Sequence, residues 1–112
     1  MNSVLLLPKA LPEARPSWFG FPITCLQPGI RDKLVRGLED AGIQTRMLFA
    51  GNLVRHPCFE GQTEYRVVGS LEQTDRVVSD TFWIGVYPGL TDQKAGYMIE
   101  QMRKIVEPLC NL

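Results

Sequence analysis

Apolar side chains first alternate with polar ones between Trp18 and Leu26, where Phe19, Phe21, Ile23 and Cys25 fall on one side. A period of two in aromatic and β-branched residues predicts a strand. Pro22 lacks a backbone donor, so the strand is expected at an edge or a bulge. After Pro28-Gly29 the period lengthens. Ile30, Leu34, Leu38 and Ala41 share one side of a helix over 30–41, with Asp32 and Arg36 spaced to pair on the other side. Gly37 weakens the helix interior and Gly42 suits its C-terminal cap. Ile43 to Phe49 reads as a second strand, with Arg46 on the face opposite Ile43, Thr45 and Met47. Tyr65–Val68 reads as a short extra strand. Ser70 with Gln73 forms a capping box that opens a helix to about Asp80, its apolar stripe of Leu71, Val77 and Val78 being thin. Phe82 to Tyr87 is a third strand, stopped by Pro88-Gly89. Thr91 caps a last helix striped by Ala95, Met98, Met102, Ile105 and Val106, with Leu90 stapled on Ala95 and Pro108 as the stop.

That order predicts an α+β fold: a small, mostly antiparallel sheet with helices packed on one face. Residues 1–17 carry Pro8, Pro12 and Pro16 between charged residues. They read as a linker or docking arm preceding a domain over 18–112. Within the arm, residues 1–7 read as a vector or start-site remnant.

Composition narrows the function classes. The chain has 112 residues, 45% hydrophobic and 21% charged, with 12 basic and 12 acidic side chains. That suits one domain with a modest core. A net charge of +0 argues against nucleic acid as a partner. The apolar run Val4–Leu7 is too short to span a bilayer and lacks the flanks of a signal peptide. The default expectation is therefore cytoplasmic residence without membrane contact. Cys25, Cys58 and Cys110 are scattered, without disulfide or zinc spacing, and read as buried or incidental thiols.

Catalytic patterns are missing. The sequence has no Gly-rich dinucleotide turn, no Walker loop and a single histidine. None of Lys9, Lys33, Lys94 and Lys104 resembles a desolvated Schiff-base lysine, and Glu39-Asp40 reads as a solvated helix face. What remains is the stretch from Ile43 to Pro57, in which Arg46, Asn52, Arg55 and His56 follow one another around a Gly51-Asn52 turn. Two guanidiniums, an amide and an imidazole suit an anionic, hydroxyl-rich ligand. With no catalytic engine beside them, they read as part of a site whose remainder lies on other protein.

Four runs carry a resemblance: Trp18–Thr24, Thr45–Pro57, Tyr65–Gly69 and Thr81–Leu90. Together they resemble the C-terminal domain of the DegT/DnrJ/EryC1/StrS sugar aminotransferases, above all the RfbH-type hexulose 3-dehydrase branch of lipopolysaccharide biosynthesis. The resemblance covers the chain from about Pro8 to its end. It implies the small C-terminal domain of the type I aminotransferase fold, dimers with active sites near the subunit interface, and pyridoxal or pyridoxamine phosphate (PLP or PMP) as cofactor. The 3-dehydrases form a ketimine with a 4-keto-6-deoxy sugar nucleotide; a histidine in place of the usual lysine removes a proton, and the 3-hydroxyl leaves. The CDP-sugar branch adds an iron–sulfur cluster and a reductase. The resemblance places the large PLP-binding domain, the catalytic histidine and the cluster cysteines upstream. His56 is therefore not the catalytic histidine, and the three cysteines are not cluster ligands. This chain is then expected to be a truncated chain or gene fragment with no catalytic, cofactor or metal residues of its own.

Arg46, Asn52, Arg55 and His56 are the candidate substrate contacts. Plainer roles stand beside them: Arg46 as the partner of an acidic neighbour, and Asn52 as a left-handed turn residue. Trp83 and Tyr87 share a strand face and suit either sugar stacking or core packing, and Trp18 and Phe21 carry the same choice. Met98 and Met102 read as packing, Arg103 and Lys104 as a solvated helix end. A separate function also fits: a stand-alone, non-catalytic α+β module for ligand binding or oligomerisation.

Overall fold

The computed structural model describes residues 4–111, and side chains as far as Leu109. Four strands, β1 (Leu5–Leu6), β2 (Gly20–Cys25), β3 (Thr45–Met47) and β4 (Thr81–Gly85), form one sheet in the order β1-β2-β4-β3, with every neighbouring pair antiparallel. Helices α1 (Ile30–Asp40), α2 (Glu72–Asp80) and α3 (Asp92–Val106) accompany it. The architecture is the α+β arrangement expected, with helices on one face of an antiparallel sheet.

The core forms where the two periodicities meet. Ile23, Cys25 and Phe82 from the sheet, Leu34 and Leu38 from α1, and Val106 from α3 are all essentially buried, with Met102 close behind. Gly29 enters α1 in the left-handed conformation that glycine adopts without steric cost (φ 76°). At the far end, the Ile43 amide bonds the Leu38 carbonyl (2.9 Å) and the Gly42 amide bonds that of Glu39 (2.9 Å). This paired capping pattern turns the chain sharply into β3. The interior Gly37 has a packing role: a Cβ there would lie 2.8 Å from Ile105 Cδ1, so its absence lets α1 and α3 approach. Thr91 caps α3 as expected, its Oγ1 accepting from the Lys94 amide at 3.3 Å.

Several expectations change. The stretch read as a linker or docking arm supplies β1, and Val4 and Leu5 are core residues at 1% and 3% exposure. Val4 and Leu5 thus help to build the core; Met1–Ser3 lie outside the described residues. Pro22 sits on β2, an inner strand, opposite Trp83 of β4. The restriction on proline still holds locally. β1 pairs only with Thr24 and Cys25, and continuing that register would set Pro8 against Pro22. Neither proline can donate, so pairing stops there.

The second strand is 3 residues long, shorter than the run of 43–49, because Leu48 starts a turn closed by the Gly51 amide on its carbonyl (3.2 Å). Tyr65–Val68 forms no strand. Residues 61–70 are exposed throughout, and an extended segment without a partner edge has nothing to hold it in a sheet. Ser70 does not cap α2. The helix starts after Leu71 without a side-chain cap, and Glu72 and Asp75 in its first turn provide the favourable charge instead. β4 begins at Thr81 and ends at Gly85, before the expected Tyr87. Asp32 pairs with its neighbour Arg31 (2.9 Å), the ion pair present there in place of one with Arg36.

Candidate functional site

The chain leaving β3 turns at Gly51 (φ 71°) and runs through two short 3-10 turns, Leu53–Arg55 and Pro57–Phe59. The first is closed by the Arg55 and His56 amides on the Asn52 and Leu53 carbonyls, both at 3.0 Å. This winding turns Asn52 and Arg55 toward the first turn of α2. Asn52 Nδ2 donates to Asp75 Oδ1 at 2.8 Å, and Arg55 Nε donates to the same oxygen at 2.7 Å. Arg55 Nη2 completes the fork on Oδ2 at 2.5 Å. Arg55 is largely exposed, whereas Asn52 is buried at 5% exposure.

Three donors on one carboxylate favour its charged form. The Arg55 fork, with help from Asn52, holds the Asp75 carboxyl below the usual aspartate range. In return, the hydrogen bond to Asp75 and its charge raise the Arg55 guanidinium pKa further. Both stay ionised at neutral pH. Arg55 retains both Nη1 hydrogens and one on Nη2 beyond what Asp75 takes.

His56 turns back on its own loop, its Nε2 lying 2.6 Å from the Ala50 carbonyl oxygen. A carbonyl only accepts, so this nitrogen carries the proton. Asn52 has extended backbone (φ −100°, ψ 106°); the left-handed position belongs to Gly51, which removes the turn-geometry explanation for the asparagine. Its place is explained by the bond to Asp75.

Arg46 stands apart from these three. It lies on β3 directly across from Trp83 of β4, on the sheet face away from the core. Its Nη1 donates to the Thr45 carbonyl at 2.9 Å, and among the described residues it forms no ion pair. The carboxylate nearby, Glu39, is occupied: it accepts from the Thr45 amide (2.6 Å) and hydroxyl (2.7 Å). Those bonds lower the Glu39 pKa, with a smaller contribution from the Arg46 charge. Glu39 thus ties α1 to β3, a structural duty missed in reading it as solvated helix face.

On the same outer face the Trp83 ring covers Gly20, where an added Cβ would collide with Trp83 Cε3 and Cδ2. Phe19 and Phe49 flank that ring, with centroids 5.3 and 6.4 Å away. The Trp83 Nε1 hydrogen is buried without an acceptor among the described residues. Trp18 and Phe21 meet edge-on at 6.4 Å. Tyr87 is half exposed beyond the end of β4, and Met102 is core with Met98 packed against it. Lys104 pairs with Glu100 one helical turn back (2.7 Å).

Cys25 is buried, which pushes its thiol up to about 11 and leaves it inert. Cys58 is exposed, and the Cys110 side chain lies outside those described. All four lysines are exposed. Among the described residues, no three His, Cys, Asp or Glu side chains gather to hold a metal, and no helix is long and apolar enough to cross a membrane.

The model of the DegT/DnrJ/EryC1/StrS aminotransferase family matches residues 3–103. The chain belongs to that family. It is 50% identical over 102 residues to the lipopolysaccharide biosynthesis protein RfbH of Salmonella typhimurium, a match covering 89% of this chain and 23% of RfbH. It is 49% identical over 104 residues to the dTDP-4-dehydro-2,6-dideoxy-D-glucose 3-dehydratase of Saccharopolyspora spinosa, covering 91% and 22%. The chain therefore spans under a quarter of the length of either relative. In fold it is similar to the aminotransferase TlmJ of Streptoalloteichus hindustanus, with a TM-score of 0.77 at 22% identity over 98% of this chain and 29% of that one. The α+β arrangement matches the C-terminal portion of such type I aminotransferase folds.

Asp75 is the member of this cluster that sequence reading missed. It lies 20 positions from Arg55 and 23 from Asn52, on a helix with a thin apolar stripe, and nothing in local spacing separates it from the other acids.

Proposed function

We propose that this chain is the C-terminal, substrate-side part of a PLP- or PMP-dependent sugar-nucleotide 3-dehydrase of lipopolysaccharide or deoxysugar biosynthesis. It helps to grip a nucleotide-linked sugar, and the cofactor chemistry resides on the remainder of the enzyme. One observation carries this reading: half-identity to RfbH and to a sugar-nucleotide 3-dehydratase, in a chain less than a quarter of their length.

Arg46, Asn52, Arg55 and His56 are the contacts we assign to substrate. Asp75 orients Arg55 and Asn52, leaving guanidinium hydrogens for a diphosphate and the Asn52 carbonyl oxygen for a sugar hydroxyl. Arg46 reaches the ligand from the outer sheet face. The residues here do not fit the cofactor itself. Every lysine is exposed, and Asp75, the carboxylate with strong partners in this loop, is already occupied. We therefore assign the chain no catalytic residue. The exposed Phe19 and Phe49 support association with a second copy, and Cys25 and Cys58, free thiols among the described residues, fit a cytoplasmic setting.

Two measurements test this. Incubation with PLP followed by borohydride reduction yields no stoichiometric adduct. Calorimetric titration with CDP-glucose gives weak binding that falls about tenfold in either Arg46→Gln or Arg55→Gln, the worth of one charge-assisted contact. A one-to-one reducible adduct, or binding indifferent to both substitutions, overturns the reading.

A further inference from the structure

At the end of the sheet where β4 finishes and β3 begins, a cleft of about 650 Å³ opens between the start of α3 and the end of α1. It shares no residue with the Asn52–Arg55–Asp75 cluster, and its volume falls within the ~300–1,000 Å³ of ordinary small-molecule pockets. Ile43, Leu90 and Met98 give it an apolar lining, and Tyr87 and Tyr97 stand at its sides. Both rings are half exposed. The Tyr97 hydroxyl donates to the Ala41 carbonyl at 2.9 Å, and Lys94 Nζ sits 5.7 Å from the Tyr87 ring centroid.

Lys94 supplies the charge. Its ammonium makes two long bonds, 3.3 Å to the Gly89 carbonyl and 3.5 Å to the Tyr87 hydroxyl, and forms no ion pair among the described residues. It stands in the first turn of the 15-residue α3, whose N-terminal end adds positive potential. The exposed amides of Gln44 and Gln93 lie on the same cleft and make no hydrogen bond within the described residues.

From this arrangement we propose that the cleft is a binding site for a small flat-ringed anion: the ring lies against Tyr87 and Tyr97, the anionic group meets Lys94, and the ring's polar edge meets Gln44 and Gln93. Tyrosine faces reward a planar ring, amides pair with mixed donor–acceptor edges, and an unneutralised ammonium selects an anion. Two kinds of molecule share this chemistry, a nucleoside monophosphate and an aromatic carboxylate.

The test uses the full chain at low salt, titrated by calorimetry with uridine monophosphate in one arm and 4-hydroxybenzoate in the other. Saturable one-to-one binding of at least one probe is expected, and the tighter arm identifies the source. Lys94→Gln weakens it by about tenfold, and Tyr87→Ala weakens it by a smaller factor. Lys104→Gln, an exposed lysine on the same helix, leaves it unchanged. Circular dichroism confirms that each variant is folded. Failure of both probes to bind, equal binding by neutral uridine, or equal losses in Lys94→Gln and Lys104→Gln overturns the proposal.

Discussion

The two faces of this sheet are built from the same strands and have met different fates. On one, Ile23, Cys25 and Phe82 are wholly buried beneath α1 and α3. On the other, Trp83 lies over Gly20 between Phe19 and Phe49, which are 75% and 71% exposed. β4 reads Thr-Phe-Trp-Ile-Gly, with three large apolar side chains in succession instead of an alternation. Successive apolar residues put large side chains on both faces of a strand. The helices cover one side; on the outer side Trp83 is flanked by Phe19 and Phe49. The asymmetry separates residues that hold the fold from aromatic residues that stay exposed.

The largest expected effect lies on the covered face. Phe82→Ala removes a fully buried ring and is expected to cost about 3–5 kcal/mol in urea unfolding. Phe49→Ser on the outer face should cost no more than about 0.5 kcal/mol. Equal losses would erase the distinction between the faces.

Gly20→Ala comes next. The new methyl must displace the rigid Trp83 ring, at an expected cost of about 1–3 kcal/mol, with a shift in tryptophan emission. Unchanged emission would show that the ring is loosely held.

Asp75→Asn is expected to act locally. Hydrogen exchange should quicken over 52–60 while the core amides keep their protection. The native pairing lowers the Asp75 pKa. Its contribution is thus complete above the unfolded-state value of about 3.9 and is lost as pH falls through the folded value. Loop protection in the parent chain should fall across that acidic window, and in Asp75→Asn that step should vanish. An identical acid profile in both chains would deny the tether its role.

The smallest effect on stability carries the most information about the outer face. The double change Phe19→Ser with Phe49→Ser should leave the unfolding midpoint nearly unmoved and lower the mass seen by light scattering at high concentration. A particle of one-chain mass before the substitutions are made would break the link between this face and self-association.

Much of the fold can be read along the chain. Ile30, Leu34 and Leu38, or Met102 and Val106, lie on one helix face because 3.6 residues make a turn, and Ile23 and Cys25 share a face because a strand alternates. Turn residues do the same work locally, as at Gly29, Gly42 and Thr91. The candidate site was legible only as a list of residue types. Proximity in sequence groups Arg46, Asn52, Arg55 and His56, and the fold sets Arg46 across from Trp83 while Asn52 and Arg55 turn to α2.

The sequence by itself marked the three helices, the existence of β2, β3 and β4 and most of the covered core, because periodicity and capping act over a few residues. Only the tertiary structure could recruit Leu5–Leu6 as a strand, leave Tyr65–Val68 without one and bring Asp75 under Arg55. Each depends on a partner 18 or more positions away. Hydrogen-bonding edges and opposite charges become partners only once the fold has made them neighbours.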